Sequence, residues 1–152
     1  MKLRLLLPLL VLSVSAFGQS AADLDARHRK LSQLVDEIWE HRLASSPEYA
    51  SIQGDRRWND RLTDRSAAAV EASAKQAREF LSRANAIPTK GLDEQDAITK
   101  TIVIQQLRDE LEDFRLKSFE MPITQFTGVH LSIPQYAPLM PFATEKDFTD
   151  WI

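Results

Sequence analysis

Three histidines, His28, His41 and His130, are the side chains here best suited to zinc ligation or to proton transfer near neutral pH. Their spacing argues against a shared metal. His28 and His41 fall in one stretch of helical periodicity, thirteen residues apart. That puts them roughly 20 Å apart along the axis and about 140° apart around it. Neither stands in an H-E-x-x-H pattern, whose i, i+4 spacing sets two imidazoles on one helix face. Both are expected to be ordinary surface or partly buried histidines. His130 follows Gly128-Val129 in a proline-rich stretch. Loop residues beside glycine often line clefts, so His130 is a candidate for facing a substrate.

Other chemistries find less support. The chain has no cysteine and no G-x-S-x-G elbow. Its four glycines form neither a P-loop nor a G-x-G-x-x-G run. Glu110 and Asp113 lie one turn apart on a helix rich in such charges, which reads as a solvated face. Arg56, Arg57 and Trp58 place an arginine pair beside an aromatic ring, a combination able to grip a carboxylate or phosphate. Asp55 and Asp60 flank the pair, so local salt bridging is the stronger expectation and cleft lining the competing one. No residue of the chain is assigned as catalytic or as a metal ligand.

The elements that must position these groups are helical. Leu24, Leu31, Leu34, Val35, Ile38 and Leu43 recur at three- and four-residue spacings, predicting a helix from an N-cap at Asp23 to Ser45. Residues 19–23 before it read as a flexible start. Pro47 can open a short helical turn and Gly54 can end it; residues 55–61 then read as an ordered loop. A second long helix is predicted from Asp64 or Ser66 to Ala86, with a stripe of small residues, Val70, Ala74, Ala77, Leu81 and Ala84, beside Phe80. A third begins after an Asp93 N-cap and presents Ala97, Ile104, Leu107, Leu111 and Phe114, widened by Ile98, Ile102 and Val103. Residues 118–144 hold four prolines among many apolar residues, predicting an extended segment pinned against a core. Thr144 and Asp147 form a capping box for a helix opening at Glu145, with Phe148, Trp151 and Ile152 beginning its buried face. The expected class is all-α: three long helices, the proline-rich segment and the start of a fourth helix, together part of a larger helical domain.

The first 18 residues have the order of a secretory leader. Lys2 and Arg4 are followed by an apolar run from Leu5 to Leu12, broken only by Pro8, and then by small residues. The run is too short for a stable span. Cleavage after Ala16 or after Gly18 meets the small-residue requirement. The chain is therefore expected to be exported, to the periplasm or beyond the cell, with residues 19–152 as its mature helical portion. The formal net charge is −3, and losing Lys2 and Arg4 makes it more acidic. That disfavours nonspecific binding to nucleic acid or to an anionic membrane.

One series of motifs resembles a known family. Pro47-Glu48-Tyr49-Ala50-Ser51-Ile52-Gln53-Gly54 is followed by Leu62-Thr63-Asp64-Arg65-Ser66, by Leu92-Asp93-Glu94-Gln95-Asp96 and by Pro122-Ile123 leading to Gly128. In this order they resemble the opening of the bacterial "domain of unknown function 885" family. The resemblance implies a longer, mostly helical exported protein similar to zinc metallopeptidases, with an H-E-x-x-H helix in its later half. No counterpart to that helix stands in this sequence, so no metal or catalytic residue of the family carries over. The resemblance implies that zinc comes with a downstream region, that this region is the chain's first partner, and that peptides are the substrate class. A non-catalytic periplasmic helical module, binding through the proline-rich segment, is the alternative.

Overall fold

The structure is a computed structural model that describes residues 6–140 and 142–151, with side chains from Ala22 onward. Lys2 and Arg4 of the expected leader, Pro141 and Ile152 lie outside the described residues. The class is all-α, with six α-helices and no strand among the described residues.

Helix α1 spans Leu6–Ser45. The Asp23 cap expected from the sequence is not there. The backbone is already helical at Leu6, so the helix runs on through Asp23. Asp23 sits inside the helix and pairs with Arg27 one turn on. Ser45 ends α1 as the proline rule requires, and α2 (Pro47–Ile52) starts on Pro47. Its end is a Schellman cap. Asp55 N–H donates to the Ala50 carbonyl and Gly54 N–H to Ser51, both at 2.9 Å. That geometry needs the positive φ of +85° at Gly54, which glycine adopts without strain.

Helix α3 (Ala67–Ala86) is capped by Ser66, whose hydroxyl accepts from Ala69 N–H at 3.2 Å. Helix α4 (Glu94–Arg115) is capped by Asp93, which accepts from Asp96 N–H at 2.7 Å. The core lies where α1, α3 and α4 meet. Leu31 and Leu34 of α1 join Ala77, Phe80 and Ala84 of α3, Ile87, and Val103 and Leu107 of α4. Ala74, Ala77 and Ala84 of the expected α3 stripe are buried, with Val70 and Leu81 half-buried, and the small alanines let the helix axes approach closely. The predicted face of α4 is corrected. Ile98 and Ile102 are 47% and 50% exposed, and Lys100 is buried in their stead. Its ammonium donates to the Ile87 carbonyl and, at 2.8 Å, to the Thr89 hydroxyl.

Residues 118–144 are neither extended throughout nor pinned against the core. They form 3-10 turns at Ser118–Glu120 and Ala137–Leu139 around helix α5 (Val129–Tyr136). Pro134 sits in the second turn of α5 and removes one backbone bond from a helix of only eight residues. Before it, the Thr124 hydroxyl accepts from Phe126 N–H and Thr127 N–H and holds Phe126 at a turn tip, 81% exposed. Helix α6 (Glu145–Trp151) opens with the expected capping box. Its buried residue is Asp147, while Phe148 is exposed and stacks on Phe142 at 4.8 Å.

One contact between α1 and α4 is sensitive to pH. His28 Nδ1 lies 2.7 Å from an Asp96 carboxylate oxygen. That hydrogen bond and the charges of Asp96, Asp93 and Asp25 raise the His28 pKa above its ordinary 6.5. A raised folded-state pKa means the contact contributes fully below about pH 6.5 and is lost as pH rises through the folded value. Asp96→Asn should bring the His28 ring titration, followed by NMR, down towards its ordinary position. An unchanged titration would show that the pair does not form in solution.

Candidate functional site

The chain bends back on itself beyond α4. A cleft forms where α5 and α6 approach α2 and the loop after it, and it encloses about 370 Å³. Helix α2 contributes Glu48 and Ser51, and the loop contributes Asn59, Asp60, Arg61 and Leu62. Ile133 and Tyr136 of α5, with Met140 and Phe142 after it, form the apolar side. Asp147, Asp150 and Trp151 of α6 complete the lining.

Local hydrogen bonds fix the polar wall. Ser51 Oγ lies 2.7 Å from Asn59 Oδ1 and ties α2 to the loop. Glu48 accepts from Thr63 through both oxygens, one from the backbone N–H at 3.1 Å and one from the hydroxyl. Asp147 is only 6% exposed. One of its oxygens accepts from Thr144 N–H at 2.7 Å, Thr144 Oγ1 at 2.9 Å and Ala143 N–H at 3.0 Å, and the Arg56 guanidinium stands 3.4 Å away. Burial pushes the Asp147 carboxyl up, but these hydrogen bonds and Arg56 outweigh it and hold it below the usual carboxylate range. Asp150 pairs with Lys146, which the Asp150 carboxylate raises. Asp60 lies 3.7 Å from Arg61.

The four candidates for cleft lining stand around this site rather than along its wall. Arg56 reaches it through Asp147. Arg57 faces outward, bridging Asp55 and Glu40. The expected partner Asp60 goes to Arg61 instead of the arginine pair. Trp58 lies under Arg57 and Arg61, whose guanidinium carbons stand 5.9 and 5.2 Å from its ring centre. Its indole N–H is buried with no acceptor among the described residues. His130 is exposed in the first turn of α5. The other histidines lie in the helical layer, His28 on Asp96 and His41 edge-on to Phe80 at 5.6 Å. Among the described residues no three His, Cys, Asp or Glu side chains are grouped so that they could hold a metal ion, and no helix is long and apolar enough to cross a membrane.

Sequence reasoning missed Glu48, Asp147 and the aromatic residues opposite them as members of one site. The family motif containing Glu48 was the available signal.

Residues 47–152 match the family described as "Bacterial protein of unknown function (DUF885)". The chain belongs to this family. The DUF885 match begins on the first residue of α2 and takes in every residue that lines the cleft, whereas α1 lies before it. No curated protein and no solved structure matches the chain.

Proposed function

We propose that this chain forms one wall of a peptide-binding cleft in an exported, zinc-metallopeptidase-like hydrolase of the DUF885 family. The observation that carries the reading is the cleft itself. Its polar wall and its apolar wall both fall inside the family match. The volume is near the lower end of the roughly 300–1,000 Å³ common for small-ligand sites, which suits one or two peptide residues. On this reading the contribution of this chain is binding and orientation. Zinc and the reacting groups come, on this reading, from residues outside these 152.

The test uses a quenched fluorescent peptide and two proteins: this chain alone, and this chain with the coding sequence that follows it. The chain alone should leave the peptide intact, and the extended protein should cleave it and stop when a chelator is added. Cleavage by the chain alone, abolished by changing one of its own side chains, would overturn the proposal. So would a genuine stop codon directly after Ile152.

A second reading has its own support. Phe119, Met121, Ile123, Phe126 and Leu139 are all exposed along one stretch, and such surface is what a non-catalytic periplasmic binding module would present to a partner. A stop codon after Ile152 would favour it.

A further inference from the structure

We infer that the cleft takes an alkylammonium group of a peptide, held by the Glu48 carboxylate with the rings of Tyr136, Phe142 and Trp151 as its walls. The inference rests on the cleft being a peptide site and names what it selects. Four carboxylates line the cleft. Three have a cation within salt-bridge distance: Asp147 has Arg56, Asp150 has Lys146 and Asp60 has Arg61. Glu48 has none among the described residues. Its hydrogen-bond donors are the neutral N–H and hydroxyl of Thr63. Each carboxylate oxygen can accept a second hydrogen bond, so Glu48 keeps both its charge and its accepting capacity.

Three ligand classes can be compared on this wall. An anion would meet the Glu48 charge, the one cleft carboxylate without a cation beside it among the described residues. A neutral apolar group would cover the Glu48 charge without pairing it, which is costly. A cation with an apolar stem pairs Glu48 and lays its stem and charge against aromatic faces, which attract cations. The apolar wall is ordered for this role, with Phe142 edge-on to Trp151 at 5.9 Å.

The probes are three small amides tested on the full chain by calorimetry, with intrinsic tryptophan fluorescence, to which Trp151 contributes, as a second readout. The first is N-acetyl-lysine methylamide, with a side-chain ammonium. The second is Nε-acetyl-lysine methylamide, with only the α-ammonium. The third is the doubly acetylated, neutral analogue. At least one ammonium compound should bind about tenfold or more tighter than the neutral analogue, the range of a hydrogen bond to a charged group. Comparison of the first two tells whether the group is a side chain or an amino terminus. Glu48→Gln should remove the preference, so that the ammonium compounds and the neutral analogue bind alike. Should that variant fail to fold, salt serves instead: raising it should weaken only the ammonium compounds in the unaltered protein. Equal affinity of all three compounds would overturn the ammonium inference and leave the cleft reading standing. No binding by any of them would overturn both.

Discussion

Replacing Leu34 with alanine is expected to remove about 2–5 kcal/mol of folding stability, enough to unfold much of a marginal domain. Leu34 is 1% exposed and belongs to the cluster that joins α1 to α3 and α4. On the α3 side of that cluster Ala77 and Ala84 carry only methyl groups, too short to swing into a vacancy, beside the single large ring of Phe80. The space left by the leucine would therefore stay largely open, which places the expected loss in the upper half of the range. Leu62→Ala is the control. Leu62 is 66% exposed, and a surface change of this kind shifts stability by only about 0.5 kcal/mol or less. Urea unfolding of the two variants side by side is the measurement. Equal midpoints would show that the three-helix layer is not what holds the fold.

The features that could be read from the sequence are those whose causes are local. The Ser66 and Asp93 caps, the Pro47 start, the Gly54 stop and the Thr144–Asp147 box each rest on residues a few positions apart, and all are present. The buried stripe of α3 follows from side-chain size and spacing alone. The Asp23 cap was a local expectation that failed, because the helix already runs through it; the other errors have a different cause. Ile98 and Ile102 carry the hydrophobicity that periodicity counts, yet Lys100 between them turns inward to the Ile87 carbonyl and the Thr89 hydroxyl after α3. Proline content pointed to an extended segment, but Pro134 costs only one backbone bond in a helix of two turns. The cleft was the least legible part. It brings Glu48 and Leu62 against Tyr136 and Trp151, residues far apart in the chain. No local pattern records such a meeting. The motif around Glu48 marked where to look, without saying what faces it.

Lys100 shows how a polar group can decide a core position. Its side chain is 7% exposed, and its ammonium holds the Ile87 carbonyl at the C-terminal end of α3 together with the Thr89 hydroxyl. A cation suits this place, because the last carbonyls of a helix lack intrahelical donors and carry its negative dipole end. Lys100→Met keeps the stem and removes the donor. The Ile87 carbonyl then loses its Lys100 partner, which is expected to cost about 1–3 kcal/mol. Lys100→Ala should cost more, since it also deletes the buried stem and leaves a cavity. The two contributions are separable through Thr89. In a Thr89→Val background one of the two hydrogen bonds is already gone. Lys100→Met should therefore cost less there than in the unaltered protein, with a coupling of roughly 0.5 kcal/mol or more for groups in direct contact. Denaturant unfolding of the four proteins in this cycle gives the answer. Strict additivity would mean that the Lys100–Thr89 contact contributes nothing, and that only the Ile87 carbonyl holds the ammonium inside.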